Sequence, residues 1–184
     1  CEFVARAALA RPDLFHSLVL ISPSGLGSAS SGRASQQTEA RGIADNLHRA
    51  FSFPLWGRAL FDLIATRRSI EFFLKKSFEG PVTPGFVDYG YATAHQPGAE
   101  HVPLRFIAGL LFTPDAAMTL YQPLSVPTLV LYDQDYFVGF DALPQLLQAN
   151  PHCKALRIAP TRGLPHFEKL AETAAALDDF WQAV

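Results

Sequence analysis

The chain has 184 residues, 49% of them apolar, with 17% charged residues and a formal net charge of -2. That is enough apolar surface for one well-filled core, and the charge balance leaves no electrostatic footprint for a nucleic-acid partner. No apolar run reaches the roughly 20 residues that cross a bilayer, and Cys1 and Cys153 are too few for a disulfide framework, which fits a reducing compartment.

Three zones follow in chain order, 1–26, 27–123 and 124–184. In the first, Ala5, Ala7, Ala8 and Ala10 predict a small-residue helix that stops before Pro12. An apolar strand, Ser17 to Ile21, and the turn Ser22-Pro23-Ser24-Gly25 come next. The second zone opens on the serine- and glycine-rich stretch Gly25 to Gly32. It then shows helical periodicity near Gln36 to Arg49, Leu55 to Ala65, Arg67 to Ser77, Pro84 to Ala94, Leu104 to Leu111 and Pro114 to Tyr121. Its aromatics, among them Phe51, Phe53, Trp56, Phe61, Phe72, Phe73, Phe78 and Tyr89, are mostly packing between short helices, with some left to line an apolar pocket.

The third zone returns to strand and helix alternation. Thr128 to Tyr132 reads as a buried strand with Asp133-Gln134-Asp135 at its C-terminal end. A helix over Ala142 to Ala149, a strand over Lys154 to Ala159 and a loop from Pro160 to Pro165 lead to His166. A final helix from Glu168 is expected to bury Leu170, Ala174, Leu177, Trp181 and Val184 on one face. An acid after one strand and a histidine after the next suit nucleophilic catalysis. A hydroxyl attacks only once an imidazole takes its proton, and the imidazole needs a carboxylate to fix its tautomer and steady its charge.

This order, with a helical zone between two α/β zones, resembles the α/β-hydrolase family over nearly the whole chain. The resemblance implies an α/β fold: the C-terminal half of a doubly wound, mostly parallel sheet with a helical lid at 27–123. It also implies that the nucleophilic serine of a Gly-x-Ser-x-Gly elbow stands about three residues before Cys1, so that these residues alone are inactive. Asp135 would be the orienting acid and His166 the general base, with no organic cofactor or metal and an apolar small-molecule substrate. The class implies a cytoplasmic location.

Two departures from the family pattern leave a choice open. Tyr136 fills the usual acid position, and Gly163-Leu164-Pro165-His166-Phe167-Glu168 lacks the first histidine of Gly-His-x-Pro-His-x-Glu. Either a shortened loop lets His166 act, or the scaffold is a non-catalytic binding protein and His166 caps the last helix, binding Glu168 or a backbone carbonyl. Asp133 is better explained as a turn or capping acid.

Asp133 and Asp135 also resemble the Asp-x-Asp of haloacid-dehalogenase-type phosphatases, in which they would be nucleophile and acid/base with Mg²⁺ between them. That motif belongs early in its domain, whereas only one strand follows here, and Asp178-Asp179 falls within a helical pattern. His95 and His101 flank a turn and read as hydrogen-bonding groups rather than zinc ligands, and His16, His48 and His152 read as surface or capping groups. Cys153 reads as packing, and Gly25 with Gly27 is weak evidence of phosphate binding. Arg67 to Lys76, basic at both ends around an apolar centre, suits either an anionic membrane surface or a solvated helix with Ile70, Phe73 and Leu74 inward.

Overall fold

The computed structural model describes residues 1–27, 57–107 and 111–184. The helix expected over Gln36 to Arg49, together with His48, Phe51, Phe53 and Trp56, lies outside them. The described residues divide into two compact units. The first comprises Cys1–Ala29, Lys76–Gly80 and Thr113–Val184; the second comprises Ser30–Lys75 and Pro81–Phe112.

In the first unit, α1 (Glu2–Ala10) stops where Arg11 leaves helical geometry ahead of Pro12, which has no N–H to extend the ladder. Strand β1 (Leu18–Ile21) follows. Strands β2 (Thr128–Gln134) and β3 (Cys153–Arg162) complete a parallel sheet in the order β1-β2-β3. β2 is the middle strand, so its Thr128 to Leu131 run is buried throughout, as a strand covered on both faces requires.

Side-chain alternation divides the core. Leu18, Leu20 and Val130 face Ala5 and Ala8 of α1, Leu120 and Tyr121 of a π-helical turn (Ala117–Tyr121), and Leu143 and Leu146 of a further helix (Leu143–Ala149). Leu129, Leu131 and Ile158 face the opposite way, toward Ala176 and Phe180 of the last helix (Leu170–Gln182). The alanines let α1 lie close on the strands. Asn150 fixes the approach to β3: its buried amide nitrogen donates to the Tyr121 and Leu124 carbonyls, and its oxygen accepts the His152 amide.

In the first unit the structure corrects three expectations. Pro160, Thr161 and Arg162 belong to β3, not to a loop. A separate four-residue helix, Pro165–Glu168, precedes the last one, and non-helical backbone at Lys169 divides the two. The last helix buries Thr173, Ala176 and Phe180, whereas Leu170 is 69% and Trp181 50% exposed. Two apolar faces were available on that helix. The one that meets Leu129, Leu131 and Ile158 is the one carrying Phe180.

In the second unit, helices span Gly57–Ile64, Arg67–Lys76 (whose last residue belongs to the first unit), Phe86–Ala94 and His101–Ile107. Phe61 is buried; Arg67 pairs with Asp88 and lies over the Tyr91 ring. Ile70 and Leu74 are half-buried but Phe73 is exposed, contrary to the inward placement expected for it. Lys75 pairs with Glu71, and the His95 ring nitrogen meets the Tyr91 carbonyl. Among the described residues no helix is long and apolar enough to cross a membrane.

The revised face of the last helix is directly testable. Phe180→Ala should cost about 3–5 kcal/mol in urea denaturation, whereas Trp181→Ala should stay within about 0.5 kcal/mol of wild type. The reverse ranking would restore the face expected from the sequence.

Candidate active site

Asp133 and Asp135 stand two residues apart at the C-terminal end of β2, the end at which parallel α/β sheets bind ligands. Their surroundings differ. Asp133 is buried; one oxygen accepts the Arg157 Nε–H at 2.6 Å and the other the Thr161 amide at 2.8 Å. Burial pushes this carboxyl up, but the Thr161 amide and the Arg157 guanidinium outweigh it and hold it below the usual carboxylate range. The Thr161 hydroxyl donates to the Ile158 carbonyl at 2.7 Å, which helps hold β3 in place beyond Pro160. Both oxygens are engaged in holding β3, which accounts for Asp133 as a structural acid and counts against the phosphatase reading. Asp178 and Asp179 are exposed on the last helix.

Asp135 is half-buried in the turn that follows β2. Its Oδ1 accepts the Phe137 amide at 2.7 Å and the Val138 amide at 3.2 Å. The Ser22 hydroxyl, at the end of β1, is near enough to favour the charged carboxylate, yet it is buried without a hydrogen bond of normal geometry. Burial outweighs these donors and raises the Asp135 carboxyl above its ordinary value. A depression of about 170 Å³ opens here, lined by Gln134, Asp135, Tyr136 and Arg162.

The histidine loop reaches the same place. Gly163 has φ +98°, and a Cβ added there would stand 2.5 Å from Asp135 Oδ2. Only glycine combines that backbone with that approach. His166 follows on the four-residue helix, half-buried, and its Nδ1 has no hydrogen-bond partner. Burial lowers its pKa, which keeps the imidazole neutral and able to take a proton near pH 7. The expected alternative bond from His166 to Glu168 is not formed: Glu168 accepts the amides of Glu79, Gly80 and Arg162 instead. The acid turn and the histidine loop therefore meet through Asp135 and Gly163, and no hydrogen bond joins Asp135 to His166 among the described residues.

Sequence reasoning missed Gly163, Glu168 and Ser22. A glycine just after a strand was the available signal for the first, since such positions often mark a close backbone approach. The remaining candidates are structural: Cys153 is buried with its thiol pushed up to about 11, and Gly27 faces the Gly139 backbone, a packing contact.

The two acids should respond oppositely to amidation. Asp133 has a folded pKa below its unfolded value of about 4, so its stabilisation is present above that pH and is lost as pH falls through the folded value. Asp133→Asn should cost about 1–2 kcal/mol at pH 7 and flatten the acid limb of stability. Asp135 has a raised folded pKa, so the cost of its charge to folding sets in as pH rises through the unfolded value and is fully present above the folded one. Asp135→Asn should match or exceed wild-type stability at pH 7 by thermal or urea melting; equal losses for the two variants would contradict the assignment. Gly163→Ala should cost about 1–3 kcal/mol.

No family model matches the sequence, and no curated protein matches it. Solved structures do. A bacterial membrane phospholipase A described as a virulence factor superposes with TM-score 0.66 at 18% identity, over 99% of this chain and 54% of its own. A 2-hydroxy-6-oxo-6-phenylhexa-2,4-dienoate hydrolase from Rhodococcus sp. strain RHA1 gives 0.65 at 15% identity, over 98% and 60%. An esterase from Thermogutta terrifontis gives 0.61 at 18%, over 99% and 61%. The chain thus spans 54% to 61% of these proteins' own chains. With its parallel sheet, its flanking helices and these neighbours, the chain has the α/β-hydrolase fold.

Proposed function

We propose that this chain carries the acid and base of a serine-dependent hydrolase acting on an ester, or a related carbonyl or carbon–carbon bond, of an apolar small molecule. The nucleophilic serine and its oxyanion amides would come from residues preceding Cys1, in keeping with a chain that spans little more than half of its structural neighbours. The observation that carries the proposal is a buried imidazole nitrogen without a partner, on a loop whose glycine is already seated against a half-buried carboxylate. The names of the neighbours, a phospholipase, a dienoate hydrolase and an esterase, support hydrolysis as the reaction class.

In this reading the loop turns so that His166 Nδ1–H donates to Asp135 Oδ2. His166 Nε2 takes the serine proton as the hydroxyl oxygen attacks the substrate carbonyl, and the imidazolium is held by the Asp135 carboxylate. The proton then passes to the leaving group as its bond to the carbonyl carbon breaks. Water repeats the sequence on the acyl-enzyme and regenerates the serine. The raised pKa of Asp135 reflects the burial that strengthens its attraction for a charged imidazole.

A second reading, a binding protein on the same scaffold, is favoured by the glycine contact itself, because with Pro165, His166 and Glu168 matched to the family pattern it is Gly163, seated against Asp135, that stands where the pattern places its first histidine. Hydrolysis of p-nitrophenyl butyrate by the full-length protein distinguishes the two. His166→Ala and Asp135→Asn should each lower kcat by about 10⁴-fold, and the double variant should be scarcely worse than either single one, as for groups acting as a unit. Turnover unaffected by His166→Ala would assign the base elsewhere; no turnover in the wild type would favour the binding protein.

A further inference from the structure

Residues Lys76–Gly80 belong to the first unit, although the chain on either side of them belongs to the second. They are tied at both ends. At one end the Lys76 ammonium donates to the Tyr136 hydroxyl at 2.7 Å and lies 4.0 Å from the centre of its ring. Tyr136 adjoins Asp135 and packs edge-on against Phe137, whose amide holds the Asp135 carboxylate.

At the other end Glu168 Oε1 accepts the Glu79 and Gly80 amides at 2.7 and 3.0 Å, and Oε2 accepts the Arg162 amide at 2.8 Å. The Arg162 guanidinium pairs with Glu79 at 2.8 Å, and buried Phe78 meets Phe167, the residue after His166. One carboxylate thus gathers three backbone amides from two segments, and bonds of this charge-assisted kind are roughly twice as strong as neutral ones.

We infer that Lys76–Gly80 is a strap fixing the acid turn relative to the histidine loop, with Glu168 as the positioning residue that fastens it. The inference rests on the catalytic reading of Asp135 and His166. Its physical motive is tolerance: a catalytic constellation works only within about 0.5 Å of its productive geometry. Asp135 and His166 lie on separate loops, and the strap engages both of them.

Glu168→Gln keeps the side-chain shape but turns an NH₂ group toward an amide donor, and Lys76→Met removes the ammonium at the opposite end. In the full-length protein each should lower kcat for p-nitrophenyl butyrate by about tenfold with little change in KM. The double variant should lose no more than the worse single one, since either change undoes the strap. In Glu168→Gln, hydrogen exchange at the Phe137 and Val138 amides should also accelerate, although neither touches Glu168. Unchanged protection at those amides overturns the strap whatever the activity does, and so does a pair of single variants with wild-type kcat. His166→Ala, assayed alongside, isolates the underlying reading: if it alone loses activity, the strap is wrong and the base is right, and if it retains activity, the base is wrong.

Discussion

Asp133 holds the Arg157 guanidinium with one oxygen and the Thr161 amide with the other, and the arrangement at the strand ends follows from that grip. Strand pairing between β2 and β3 is regular from Thr128 and Cys153 up to Tyr132 and Arg157, then shifts before Gln134 meets Arg162. The buried carboxylate spans this irregularity. By drawing the Thr161 amide inward it prolongs β3 past Pro160, and the next residues, Gly163 onward, are delivered to Asp135. The grip of Asp133 on β3 thereby brings the loop after that strand to the other acid.

The contrast between the two acids is one of compensation. Asp133 has a cation and an amide to offset its burial, and its carboxyl is held down. Asp135 has two turn amides and a nearby hydroxyl but no offsetting cation among the described residues, and burial prevails. Structural ion pairs generally resemble the first case. A carboxylate kept partly buried without a counter-charge costs folding free energy, and a positively charged imidazole formed during a reaction is the partner that would recover it.

Much of the architecture was legible because it depends on local rules. The alanines before Pro12 predicted α1 and its stop ahead of that proline, and the apolar, β-rich run after Pro127 predicted the strand that lies in the middle. What escaped the sequence depended on distant partners. Pro160 resembled a loop residue until Asp133, far back in the chain, was seen to bind the next amide. The last helix offered two apolar faces, and only the positions of Leu129, Leu131 and Ile158 selected the one with Phe180. At the site, strand order made Asp135 and His166 candidates. The roles of Gly163 and Glu168 required knowing which backbone each would meet, and periodicity does not carry that information.

The account rests on an imidazole and a carboxylate that sense one another, and NMR titration of His166 in the full-length protein measures this most directly. Removing the carboxylate charge with Asp135→Asn should lower the His166 pKa and abolish any far-downfield Nδ1 proton resonance, because the carboxylate favours the charged ring. Superimposable His166 titrations in the wild type and Asp135→Asn would mean that the two groups do not interact, and the proposed acid and base would lose their physical basis.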